Sequence, residues 1–212
     1  MNIYFSAWLH CAYFKALSII KTEQPKLWED FIKEISTFSV VPNYYIAAVL
    51  THIAFTKEII KSKKMYSEYW KEYATTIQTR LSNLFGVELK RTKITAYVCV
   101  TPLYIRNIEK GLFLLPICAN KQRVMNIIVH ELSHFYCYQS YQVYKYEEDD
   151  AWEISEYLVP YLIRLYFKDM CQTKTNFYFG QVPEKYKKHI KYWLGRKISF
   201  EEMLNNIKYE SN

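Results

Sequence analysis

The chain has 212 residues, half of them hydrophobic and 23% charged, with only 4 glycines and 6 prolines. That length suits one compact domain with a sizeable core, and so few turn-formers exclude disordered, collagen-like and all-β sandwich architectures. The net charge of +7 raises the question of a nucleic-acid partner. The basic residues are dispersed, however, and their densest cluster, Lys185, Lys187, Lys188, Lys191, Arg196 and Lys197, reads as a solvated helix face.

From the N-terminus, Met1 to Phe14 is apolar but lacks a basic leader and is interrupted by His10, so it does not read as a secretory signal. Residues 1–86 are predicted to be mostly helical, over Ala7–Lys21, Lys26–Ser36, Tyr44–Lys61 and Ser67–Leu84. The uncharged run Ile35–Thr56 is broken by Pro42, Asn43 and His52, which predicts a buried helix capped by Asn43 rather than a membrane span. His10 and His52 read as hydrogen-bonded core histidines.

The pattern then changes. Lys93–Thr101 is rich in β-branched and aromatic residues, and Gly111–Cys118 is a short apolar run. Both predict strands joined by a polar loop, with Pro116 suited to an edge strand. Asn120 is placed to cap a helix over Lys121–Gln139. A further helix is predicted over Tyr146–Lys168, its acidic start favoured by the macrodipole and Pro160 kinking it. Helices near Glu184–Leu194 and Phe200–Asn206 complete the chain.

The expected class is therefore α+β, a mostly helical single domain with a small sheet edge before the central helix. Within 1–212, a helical part spans 1–86, a core 87–170 and a basic helical part 171–212. The five cysteines (Cys11, Cys99, Cys118, Cys137, Cys171) are odd in number and form no C-x-x-C pair, which fits buried thiols in a reducing compartment. A cytoplasmic chain without membrane insertion is expected.

One motif carries chemistry. The central helix contains H-E-x-x-H as His130, Glu131 and His134. Residues four apart stand on one helix face, so both imidazoles can reach a single ion. Neutral imidazole is a good zinc ligand, and Glu131 lies beside the pair, where it can accept a proton from an activated water. The flanking helix is strongly apolar, where two histidines and a glutamate are costly without partners.

His130-Glu131-Leu132-Ser133-His134 resembles the signature of zincin metallopeptidases, and the strand edge before it and acidic helix after it resemble the gluzincin branch. The third histidine of the metzincin extension is absent from Phe135–Tyr141. The resemblance covers roughly residues 94–168. It implies a zincin-like fold, a Zn2+ cofactor, a peptide or protein substrate, and a third ligand that is a glutamate on the following helix.

Glu147, Glu148, Glu153 and Glu156 compete for that role. By helical position, Glu153 falls on the solvated half, Glu156 just past the edge of the apolar arc beside Ile163, and Glu147 and Glu148 within the arc. Glu148 is followed by Ala151 and Ser155, similar to the gluzincin pattern in which small residues let the two helices approach. Glu148 is therefore preferred, and Glu147, Glu153 and Glu156 stay open. The expectation is a zinc-dependent peptidase in which His130, His134 and Glu148 hold the ion and Glu131 is the general base. His189, Tyr157, Tyr161, Tyr178 and Tyr186 are candidate oxyanion donors, and the Gly111–Cys118 strand could align an extended peptide. Two further readings compete: a catalytically inert zinc-binding module, and a nucleic-acid-associated protein using the tyrosines, Trp193 and lysines of 185–197.

Overall fold

The computed structural model describes residues 2–6, 56–99, 106–117, 120–145, 151–171 and 184–210. The helices expected over Ala7–Lys21 and Lys26–Ser36, the first part of Tyr44–Lys61, and His10, His52, Cys11 and Cys118 lie outside these residues. The described elements are β1 (Asn2–Ser6), α1 (Thr56–Phe85), β2 (Lys93–Cys99), β3 (Arg106–Asn107), β4 (Leu112–Pro116), α2 (Lys121–Tyr144), α3 (Ala151–Tyr166), α4 (Glu184–Leu194) and α5 (Phe200–Glu210). The architecture is the expected α+β, mostly helical with a small four-stranded sheet. Two compact units divide it. One holds the sheet and α1 up to Trp70, the other α1 from Lys71 together with α2 to α5.

In the sheet unit the strand order is β1-β2-β4-β3. β1 runs parallel to β2, from Asn2 opposite Lys93 to Ser6 opposite Tyr97, and adds a strand at the start of a region expected to be helical. β2 and β4 are also parallel, with Thr95 opposite Leu112 and Cys99 opposite Pro116. The polar loop between them contributes β3, antiparallel to β4 at Leu112 and Phe113. A sharp turn makes this reversal: Gly111 takes φ +65° and Asn107 Oδ1 accepts from Lys110 N at 2.6 Å. β4 is thus an inner strand rather than an edge, and all five of its residues are buried, as its unbroken apolar run requires. Pro116 ends it beyond the two residues that pair with β3, and its carbonyl accepts from the Tyr66 hydroxyl at 3.1 Å.

α1 is one continuous helix where two were expected. The charged stretch between the expected pair contains neither Gly nor Pro, so nothing in it stops the helix, and Ser67 returns its hydroxyl to the Lys63 carbonyl. Ile59, Tyr66, Trp70, Ile77, Leu81 and Leu84 are buried at spacings of three, four and seven, one helical stripe. The helix stops at Gly86, whose φ is +69° and whose N–H closes on Ser82 O at 2.8 Å. A Cβ there would stand 2.7 Å from the Tyr144 hydroxyl oxygen.

α2 is the centre of the helical unit. Asn120 caps it as expected, accepting from Gln122 N at 2.8 Å and Arg123 N at 3.4 Å. Every residue from Val124 to Cys137 is buried. A helix apolar on nearly all sides belongs inside a bundle, and its serines stay compatible by back-bonding: Ser133 to Val129 O at 2.7 Å and Ser140 to Tyr136 O at 2.9 Å. Phe85, fully buried, joins the elements by packing on Tyr136, on Trp193 at 5.6 Å between ring centroids and edge-on to Phe200 at 4.8 Å. The Trp193 indole donates to Leu84 O at 3.0 Å. α5 begins with a reciprocal capping box, Ser199 with Glu202.

Arg80 grips Asp169 with two parallel hydrogen bonds of 2.7 and 2.9 Å and donates to Tyr166 O at 2.7 Å. The guanidinium holds the Asp169 carboxyl below the ordinary carboxylate value.

Two outcomes are expected. Phe85→Ala should lower unfolding stability by about 3–5 kcal/mol, measured by urea denaturation, because it empties the aromatic hub. The second follows from Asp169. A carboxyl whose folded-state pKa is depressed stabilises above its unfolded value, about pH 3.9, and loses that contribution as pH falls through the folded value. The unfolding free energy of the wild type, measured by urea denaturation, should therefore fall more steeply than that of Asp169→Asn below about pH 4, by an increment under about 1 kcal/mol because solvent screens the pair.

Candidate metal centre

Two turns of α2 set the first half of the site. His130 and His134 lie on one face, their ring centroids 4.8 Å apart and the planes at 66°. Their Nε2 atoms converge to 3.1 Å. α3 packs against α2 and supplies the third corner. Glu156 Oε1 is 3.4 Å from His134 Nε2, and Glu156 Oε2 is 3.6 Å from His130 Nε2. The side chains of His130, His134 and Glu156 are 5%, 0% and 7% exposed.

These separations fit a metal. Zinc bonds of about 2.0–2.1 Å in a tetrahedron put neighbouring donor atoms roughly 3.3–3.4 Å apart. The three approaches of 3.1, 3.4 and 3.6 Å bracket that edge, and one donor atom from each of the three residues can be chosen with all pairs within 4.8 Å. Among the described residues this is the one group of histidine, cysteine and acid side chains that meets this condition. The donor chemistry also fits: two imidazole nitrogens and a carboxylate suit a borderline divalent ion, and three protein ligands leave a vertex for water or substrate.

Glu131 is fully buried beside them, with Oε1 3.9 Å from His130 Nε2. With both carboxyls ionised and both imidazoles neutral, the ligand state a metal requires, this buried cluster would carry two negative charges. Burial makes such an arrangement costly unless opposite charge compensates it, and one divalent cation would do so.

The structure brings together His130, Glu131 and His134 as the motif requires. Glu147 and Glu148 lie outside the described residues. Glu153 turns away and accepts the Tyr157 hydroxyl at 2.6 Å. That bond pushes the tyrosine's pKa up to about 12 and commits its proton. Glu156 faces both imidazoles. Its helical position puts it at the edge of the apolar arc, and there the neighbouring helix covers it. Ala151 and Ser155, the small residues of the sequence pattern, do form the close approach: Cys137 Sγ reaches Ala151 O at 3.8 Å and His134 reaches Ser155. No local signal marks Ser155 as a histidine partner, although it sits directly before Glu156.

The remaining candidates are placed as follows. His189 and Tyr186 are buried on α4, Tyr161 is exposed on α3, and Tyr178 lies outside the described residues. Cys99, Cys137 and Cys171 are buried thiols outside any disulfide, as the composition suggests. Trp193 and Tyr186, at 2% and 6% exposed, are not available to stack on bases, whereas Tyr192 of the same helix is 38% exposed. No helix among the described residues is long and apolar enough to cross a membrane. Comparison with protein-family models, curated proteins and solved structures finds no match to the chain.

Zinc titrated into the metal-free protein should bind one equivalent, and His130→Ala, His134→Ala and Glu156→Ala should each abolish stoichiometric binding. Full binding in Glu156→Ala with loss in Glu148→Ala would transfer the third corner to Glu148.

Proposed function

We propose that this protein is a zinc-dependent metallopeptidase of gluzincin-like design, in which His130, His134 and Glu156 hold the ion and Glu131 is the catalytic base. The observation that carries the reading is the meeting of a buried H-E-x-x-H pair with a glutamate from the following helix, at donor spacings a tetrahedral ion would span. Glu156 takes the ligand role that the sequence pattern favours for Glu148, because its carboxylate is the one beside both imidazoles among the described residues.

A bound divalent ion supplies Lewis acidity, acidifying water and polarising a carbonyl. The protein's part is positional and protonic. The imidazoles and Glu156 fix the ion against α2 and α3. Glu131, one residue from His130 and buried, takes the proton of the attacking water and returns it to the departing amine. Enclosure of Glu131 away from bulk solvent strengthens its interaction with the reacting charges.

Glu131→Gln keeps the shape of the site and removes the base. It should retain one equivalent of zinc while cleavage of a peptide library falls roughly a hundred- to ten-thousand-fold. Unchanged turnover would remove Glu131 from the mechanism. A zinc-loaded wild type inert towards every peptide would reduce the site to a structural metal centre.

A further inference from the structure

The second nitrogen of His134 points away from the proposed metal and into α3. His134 Nδ1 lies 2.6 Å from Ser155 Oγ, and Ser155 Oγ in turn donates to Trp152 O at 2.8 Å. A serine hydroxyl owns one proton. With that proton directed to the Trp152 carbonyl, the oxygen meets His134 as an acceptor, so Nδ1 carries the imidazole hydrogen. A neutral imidazole has a single N–H, and Nε2 is therefore left with its lone pair directed at the corner shared with His130 and Glu156.

We propose that Ser155 is a positioning residue for the metal centre, holding His134 in the Nδ1–H tautomer so that Nε2 is a ready ligand. The consequence for metal rests on the reading of the site given above; the tautomer does not. Ser155 and His134 are 1% and 0% exposed, so the bond is shielded from bulk water. The next residue is Glu156. One dipeptide of α3 thus addresses both nitrogens of one ring: Ser155 holds the outer one and Glu156 faces the inner one at 3.4 Å. This couples ligand orientation to the position of α3. The choice of a hydroxyl also has a reason. A carboxylate in its place would add a third acid to a cluster that already buries Glu131 and Glu156, whereas a hydroxyl polarised by a helix carbonyl orients the ring without charge.

Long-range proton–nitrogen NMR on the metal-free protein tests the tautomer directly. In the wild type, His134 should show a protonated Nδ1 and a bare Nε2. In Ser155→Ala the population should move to Nε2–H, because Nδ1 loses its acceptor while Glu156 remains beside Nε2. Zinc affinity, measured by competition with a chromophoric chelator, should fall about 10–100-fold. Ser155→Thr, which keeps the hydroxyl, should restore both readouts, and a folded threonine variant that behaves like alanine counts against the proposal. Should the alanine variant not fold, Ser155→Cys has nearly the same volume with a much weaker hydrogen-bonding group and answers the same question. A wild-type His134 found as Nε2–H, or a Ser155→Ala protein with unaltered tautomer or unaltered zinc affinity, overturns the proposal. A wild type that binds no zinc overturns the metal reading instead and leaves the NMR result to decide the tautomer.

Discussion

The approach of Glu156 on α3 to the paired imidazoles on α2 is the contact around which the helical unit is arranged. It places two acids and two histidines on helices whose buried residues are mostly apolar. Desolvating an isolated carboxylate costs several kcal/mol even after relaxation, and a second one close by adds repulsion. A sequence shaped only for stability would place apolar residues there. A divalent ion held there would offset that repulsion, because both acids would be attracted to one centre.

Ser133 and Ser140 return their hydroxyls to the backbone of α2, and α2 and α3 approach closely at Ala151 and Ser155. Away from the site, Phe85 with Tyr136, Trp193 and Phe200 ties the end of α1 to α2, α4 and α5. This aromatic hub uses the unusual aromatic content for packing, and the base-stacking role considered for Trp193 is taken up by its burial and its bond to Leu84 O.

Elements governed by nearby residues were legible in the sequence. The Asn120 cap, the extent of α4 and the start of α5 correspond to local signals: a polar cap, an amphipathic period, and a serine three residues before a glutamate. Elements governed by distant pairing were not. β1 is five residues long, too short for its alternation to stand out, and it exists as a strand because β2 pairs with it from more than eighty residues away. The parallel register of β2 with β4, and the inner place of β4 despite Pro116, likewise belong to pairing rather than composition.

The site divides along the same line. Helical periodicity alone puts His130 and His134 on one face with Glu131 alongside, because a four-residue spacing is nearly one turn whatever surrounds it. No such rule ranks the acids of the next helix. Which of them meets the imidazoles depends on how α3 lies and turns against α2, and the small residues Ala151 and Ser155 set that closeness while the edge position of Glu156 becomes an interior one. The tautomer of His134 is decided there too, since it follows from a hydroxyl and a carbonyl that only packing brings to the ring.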